Sequence, residues 1–380
     1  MSSHRIPFNK PAIVGDELRY IREAVESGHL SGDGEFTKRC SALLERELGV
    51  GRALLTTSCT HALEMCALLL GVQPGDEVVV PSFAFVSTVN AFVLRGAQPV
   101  FVDVRPDTLN LDEKLVAERV GPRTKAIVAL HYAGVACEMD ELGRIARDAG
   151  TSLVEDAAHA LFGSYQGRAL GSLGRLATLS FHETKNVSCG EGGALLVNDP
   201  ALVERAEILR EKGTNRSRFF RGEIDKYTWV DLGSSWLPSE VLAAYLWAQL
   251  EARDRIQRAR ERVWRRYRDE LAGWAQAHDV RLPILPPHCG PAWHMFQLVL
   301  PSLDARQRLT EHLRARGILA VFHYLPLHLS PMGRRLGGRP GDCPVTEDLS
   351  DRLLRLPFYN GLAEEAQGEV IDAVRAFEEF

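Results

Sequence analysis

The chain has 380 residues, with 45 Lys and Arg against 50 Asp and Glu, for a formal net charge of −5. A mildly acidic chain with no basic block argues against nucleic acid as its main partner. No apolar run is long enough for a bilayer-spanning helix. The cations are almost all arginine. Lysine occurs only at Lys10, Lys38, Lys114, Lys125, Lys185, Lys212 and Lys226, so any lysine chemistry has few candidates. The cysteines (Cys40, Cys59, Cys66, Cys137, Cys189, Cys289, Cys343) are scattered and form no CxxC pair. That pattern suits reduced core residues better than a disulfide frame or a zinc centre, and no metal site is expected. The opening MSSHRIPFNKP lacks the apolar stretch of a secretory leader, so the cytoplasm is the expected compartment.

In chain order, apolar residues at helical spacing predict helices over Gly15–His29 and Phe36–Leu48. Short apolar runs then alternate with amphipathic stretches. The runs predict strands at Leu54–Thr56, Glu77–Val80, Pro99–Val104, Lys125–His131, Ser152–Glu155, Ala177–Phe181 and Ala194–Val197. The stretches predict helices at Thr60–Leu70, Val86–Arg95, Asp112–Val120 and Met139–Ala149. Such alternation predicts an α/β fold, with a mostly parallel sheet covered on both faces. After Pro238 one long helix is expected from Ser239 to about Ala272, its second half dense in Arg and Glu. A Pro-rich linker (Leu282–Pro291) follows. Beyond it a strand (His294–Leu300), a helix (Asp304–Arg316), a strand (Ile318–Tyr324), a Gly-rich loop and a closing helix predict a smaller α/β unit. The expected division is residues 1–250 and 251–380.

The sequence has no GxGxxG, no GxxxxGK[ST], no GxSxG and no HExxH, which removes simple dehydrogenase, NTPase, serine-hydrolase and zincin readings. Three segments sit where strand ends meet helices. Thr56-Thr57-Ser58-Cys59-Thr60 precedes a helix, whose first N–H groups and hydroxyls suit either a phosphate or an ordinary N-cap. Leu153-Val154-Glu155-Asp156-Ala157-Ala158-His159 ends an apolar strand in an acidic pair, where open α/β sheets bind ligands. Ser180-Phe181-His182-Glu183-Thr184-Lys185-Asn186 leads into Gly190-Glu191-Gly192-Gly193. Taken singly, a surface lysine and a helix cap explain these as well as chemistry does.

Together they resemble the DegT/DnrJ/EryC1/StrS family of pyridoxal-phosphate (PLP) sugar aminotransferases. Asn9-Lys10-Pro11, Ser27-Gly28-His29-Leu30-Ser31-Gly32, Pro81-Ser82-Phe83-Ala84-Phe85 and Gly96-Ala97-Gln98-Pro99-Val100-Phe101-Val102-Asp103 belong to the same likeness, which covers nearly the whole chain. The resemblance implies the fold-type-I, aspartate aminotransferase-like architecture: a large PLP-binding domain followed by a small C-terminal one. It implies that Lys185 is the Schiff-base lysine and that Asp156 pairs with the pyridine nitrogen. Phe83 would stack on the ring, and His159 would stand near its phenolic oxygen. Ser58, Cys59, Thr60 and Ser180 would surround the phosphate. Many relatives carry Gly-Thr where this chain has Cys59-Thr60. Many also carry a Gly-x-Asn asparagine that reaches the neighbouring subunit's phosphate; here Ser235 holds that place, and the active unit would be a homodimer.

A branch of the family replaces the lysine with His and dehydrates; retention of Lys185 implies amino transfer. The runs Glu211–Asp231 and Ser235–Glu240 resemble transaminases of dTDP-4-keto-6-deoxyglucose. The implied reaction moves the amino group of L-glutamate to C4 of that sugar, giving a dTDP-4-amino-4,6-dideoxyhexose, with the cofactor as pyridoxamine phosphate (PMP) in turn. Arg216, Arg218 and Arg221 are candidates for the nucleotide diphosphate. Tyr324 and His328 are candidates near the sugar. The alternatives are a 3-keto nucleotide-sugar aminotransferase and a non-catalytic PLP-binding regulator.

Overall fold

The computed structural model describes residues 4–378. All seven expected strands of the first unit form, with ends moved by a residue or two. In chain order the strands are β1 (Arg52–Thr56), β2 (Glu77–Pro81), β3 (Gln98–Val102), β4 (Thr124–Leu130), β5 (Ser152–Asp156), the short β6 (Ser164–Tyr165) and β7 (Arg168–Ala169), β8 (Leu176–Ser180) and β9 (Gly193–Val197). Seven make one sheet in the order β1-β9-β8-β5-β4-β2-β3. Parallel pairing runs from β3 through β8, and only β9 opposes its neighbours.

The strands are apolar on both sides because both faces are covered. Leu55, Val79, Ile127, Leu153, Leu179 and Leu196 enter one core. Their neighbours Leu54, Val78, Val128, Val154 and Leu195 enter the other. Ser58 caps the helix Cys59–Leu69 by accepting the His61 N–H at 3.1 Å, which fixes that helix start at the end of β1.

The long helix expected from Ser239 is in fact two, Glu240–Glu251 and Arg253–Ala277, broken at Ala252 (φ −85°, ψ 6°). The first helix packs Ala243, Leu246 and Leu250 on the sheet's core. The second carries Val263, Trp264, Tyr267 and Leu271 into a separate one. A straight helix could not serve both.

The remaining strands are β10 (Cys289–Gly290), β11 (Gln297–Val299), β12 (Val321–Phe322) and β13 (Leu353–Arg355). β10 leaves the Pro-rich stretch to pair with β6, and β11-β13-β12 form a small sheet. Its core joins Phe296, Leu313, Leu354 and Val370, and also Ile6. The segment around Ile6, expected with the first unit, therefore packs with the last: Ile6 N–H donates to Gly317 O and Leu319 N–H to Ile6 O, both at 3.0 Å.

Buried carboxylates fasten these parts. Glu240 accepts the N–H groups of Gly34 (3.1 Å), Phe36 (2.8 Å) and Thr37 (3.1 Å) at the start of the helix Glu35–Leu48. Asp103, just past β3, accepts those of Val345 (2.7 Å) and Thr346 (2.8 Å) at the start of the helix Pro344–Arg352. Each accepts helix N-terminal N–H groups that lack intrahelical partners, where a carboxylate also meets the favourable end of the dipole.

Candidate active site

The parallel strands β1, β2, β4, β5 and β8 end at one edge of the large sheet. β9 starts there, with Gly193 opposite both Ser180 and Thr56. A Cβ at Gly193 would stand 2.4 Å from the Cys59 nitrogen, so glycine alone lets β9 begin against the helix start. Above this edge lies a cavity of about 510 Å³, in the crevice where open α/β sheets bind ligands.

The structure brings Ser58, Cys59, Thr60, Asp156, His159, Ser180, Lys185 and Tyr324 together on its walls. Lys185 stands in the β8–β9 loop, which is closed by Phe181 N–H to Gly192 O (2.8 Å) and Glu183 N–H to Gly190 O (2.9 Å). Burial lowers the Lys185 ammonium to about 8, against the opposing pull of Cys59 and Asp156. Asp156 ends β5 at 3% exposure. It accepts the Thr88 hydroxyl at 2.7 Å and the Ala158 N–H at 3.2 Å. Burial still raises its carboxyl above the ordinary value, and those two hydrogen bonds pull the other way. His159 stacks on His294 at 4.3 Å, its Nε2 is 3.4 Å from the Tyr324 hydroxyl, and its Nδ1 is buried without a partner. Burial keeps this imidazole well below its usual range, and so neutral. Thr60 donates to Ser87 Oγ at 2.8 Å.

Other expected residues lie elsewhere. Phe83 does not line the cavity. It is fully buried among Tyr132 (5.2 Å) and Tyr324 (5.6 Å), and Phe85 lines the wall instead. His328 is fully buried, bridging Ser82 Oγ (2.5 Å) and Glu347 (3.0 Å); it ties the loop after β2 to the helix Pro344–Arg352 and does not line the cavity. Arg216, Arg218 and Arg221 lie on and just after the short helix Arg216–Phe220, outside the cavity wall. Acidic neighbours hold them there: Arg216 pairs with Glu211 (3.3 Å), Arg218 with Glu223 (3.1 Å) and Arg221 with Glu207 (2.7 Å). Ser235 is exposed and bridges Glu211; it does not line its own chain's cavity.

Several wall residues escaped the sequence reading: Asn9, Phe85, Ser87, Thr88, His294, His323 and Arg355. Phe85 shares the family segment with Phe83, Asn9 opens the segment Asn9-Lys10-Pro11, and His323 adjoins the candidate Tyr324. His294, His323 and Arg355 come from the small unit and meet the cavity through tertiary folding.

The walls fit pyridoxal phosphate on their own chemistry. A capped helix start offers N–H groups to a phosphate. A buried carboxylate stands within the same cavity, the His159 imidazole keeps one buried nitrogen without a partner, and one lysine is partly neutral near pH 8. Among the described residues no group of His, Cys, Asp or Glu is placed to hold a metal ion, and no helix is long and apolar enough to cross a membrane.

Known proteins agree with this geometry. The solved aminotransferase TlmJ from Streptoalloteichus hindustanus superposes with a TM-score of 0.89 at 34% identity, over 99% of this chain and 98% of that one. DesV from S. venezuelae, solved with a ketimine intermediate, gives 0.89 at 32% identity over 99% of both chains. The PMP form of Spr1654 from Streptococcus pneumoniae gives 0.90 at 25% identity over 98% of both chains. The architecture is thus the expected fold-type-I class of PLP-dependent aminotransferases. A family model matches residues 11–375. The chain belongs to the DegT/DnrJ/EryC1/StrS aminotransferase family.

Proposed function

We propose that this chain is a nucleotide-sugar aminotransferase that moves the amino group of L-glutamate to C4 of dTDP-4-keto-6-deoxy-D-glucose, giving a dTDP-4-amino-4,6-dideoxyhexose. The observation that carries the reading is the pairing, in one cavity, of Lys185, lowered to about 8, with the buried carboxylate of Asp156. Bound pyridoxal phosphate supplies the carbonyl that holds the migrating nitrogen and the ring that accepts the electron pair. The protein's residues do the rest. Lys185, partly neutral at physiological pH, takes the proton from the donor's α-carbon and returns one to the sugar carbon. Asp156 accepts a hydrogen bond from the protonated ring nitrogen and so keeps the ring electron-poor. Thr88 and the Ala158 N–H orient that carboxylate. The helix start at Ser58, Cys59 and Thr60, with Ser87 and Ser180, holds the phosphate. Phe85 takes the ring-covering place expected of Phe83. His159, neutral and stacked, stands by the phenolic oxygen, and Tyr324 closes the sugar side.

The active unit is a homodimer. Phe220, Trp229, Val230 and Leu232 are 50–75% exposed near Ser235, an apolar surface that a second copy would cover. Ser235 would then complete the partner's phosphate site. The cytoplasm, where such sugar nucleotides are made, is its compartment.

Incubation with pyridoxal phosphate, L-glutamate and dTDP-4-keto-6-deoxyglucose, followed by NMR of the product, tests the substrate. A C4 amine supports the reading, and its axial or equatorial setting gives the configuration. Failure to form any amino sugar rejects it, and an amine at C3 of a 3-keto substrate replaces it. Lys185→Ala is expected to abolish turnover; unchanged turnover would overturn the mechanism.

A further inference from the structure

The helix Arg253–Ala277 buries one arginine, Arg260, to 2% exposure, and the reaction outlined above gives it no task. Among the described residues it forms no ion pair. Its Nε donates to Trp293 O at 2.8 Å, one Nη to His294 O at 2.5 Å and the other to Asn360 Oδ1 at 2.8 Å. The guanidinium lies 4.7 Å over the Phe358 ring. Burial alone opposes this charge, a cost that a well-packed apolar side chain would avoid. The two carbonyls that it holds follow directly on a strained residue. Trp293 has φ +54°, a left-handed setting that glycine takes freely and an aromatic residue does not. Such a conformation persists only where its surroundings hold it.

What this turn presents reaches the cavity. Before Trp293, Ala292 O accepts the Asn186 Nδ2–H at 2.6 Å; after it, His294 Nδ1 meets Asn186 Oδ1 at 2.9 Å. A carbonyl only accepts, so the Asn186 amide has one orientation and His294 donates from Nδ1. A single side chain thereby clasps both flanks of the turn, and it belongs to the residue that follows Lys185. His294 also stacks on His159 at 4.3 Å and lines the cavity, which Arg260 does not. We propose that Arg260 is a positioning residue for the reacting centre: it holds the strained Trp293 turn in the shape that sets His294 against His159 and against Asn186. The inference rests on the aminotransferase reading for the roles of Lys185 and His159, and on the geometry alone for the clasp.

The first measurement needs neither cofactor nor substrate. In the cofactor-free protein, labelling of Lys185 by a small amine-reactive reagent is followed against pH by peptide mass spectrometry. Cys59 and Asp156 favour the Lys185 charge, Arg355 opposes it, and His159, His294 and His323 also face it; substitution at Arg260 removes none of them. The wild-type midpoint is expected at about 8, set by burial. In Arg260→Met and Arg260→Lys the loosened Asn186 lets water reach the lysine, and the midpoint should rise by about one pH unit. With cofactor and both substrates, kcat should fall on the order of 10- to 100-fold while each KM stays within about twofold. Arg260→Lys retains the charge and one carbonyl bond, should keep part of the rate, and decides the matter if the Met variant does not fold. Adding Trp293→Gly to Arg260→Met removes the strain, so midpoint and rate should partly recover. A folded Arg260 variant with the wild-type midpoint and kcat overturns the proposal. So does a fall in melting temperature with neither of them moved, and so does a double variant no better than the single one. A wild-type protein that aminates no 4-keto sugar refutes the substrate assignment, while the labelling midpoints still judge Arg260.

Discussion

Replacing Thr88 with Val removes one hydroxyl from the cavity wall and leaves its shape almost intact. Thr88 is 1% exposed and donates to Asp156 Oδ2 at 2.7 Å, leaving only the Ala158 N–H, at 3.2 Å, among that carboxylate's hydrogen bonds from the chain. A hydrogen bond to a charged group contributes about 1.5–3 kcal/mol, which corresponds to roughly 10- to 150-fold in rate where the reaction uses it fully. The direction with pH follows from the carboxyl's environment. Burial raises Asp156 and the Thr88 bond opposes that rise, so the variant must hold its proton to higher pH. The expected result is a kcat reduced about 10-fold or more near neutrality, with the acid limb of the pH–rate profile moved upward and the loss shrinking as pH rises. The assay is amine transfer from pH 5.5 to 9 with cofactor saturation checked by absorbance. A folded, cofactor-saturated variant with the wild-type profile would refute the assigned role of Asp156.

Lys185 carries a second pH signature, in the cofactor-free protein. Its folded value of about 8 lies below the ordinary 10.5, so the unfolded chain binds the proton more tightly and stability rises with pH across that window. Compared with Lys185→Met, the wild type should gain about 3 kcal/mol between pH 8 and 10.5 in denaturant titrations; a constant difference would contradict the buried lysine. Glu240→Gln should cost about 3–5 kcal/mol, since an amide cannot accept from all the donors that the carboxylate serves. For a chain of this length that is a melting shift of about 4–6 °C, and a change under about 1 °C would count against the cap. Phe83→Ala should destabilise by about 3–5 kcal/mol, whereas Phe85→Ala should keep stability and loosen the cofactor about 10-fold, measured by fluorescence titration. The reverse result would restore Phe83 to the ring face.

The strands of the large sheet were legible because both faces are buried, which writes each as an unbroken apolar run. The break at Ala252 was not, because neither Gly nor Pro marks it; two separate cores demand it. Lys185, Asp156 and Ser58 were legible because they sit at strand ends, where chain position and site position coincide. Arg355 and His294 reach the cavity from another unit, and no local pattern announces such a meeting. Phe83 and Phe85 show the finest limit. Two aromatics two residues apart looked alike in sequence, and only packing sent one inward and the other to the cavity wall. His328 and the three arginines lie away from this chain's cavity, beside partners such as Glu347 and Glu207 that are named only by the fold.

The cavity wall runs from Phe8 and Asn9 to Arg355 and Phe358. A ribosome must therefore deliver nearly the whole chain before a ligand finds all of its contacts. Ligand binding stabilises only the state that binds it, so one occupant that touches both ends of this wall links the stability of the large sheet to that of the small unit.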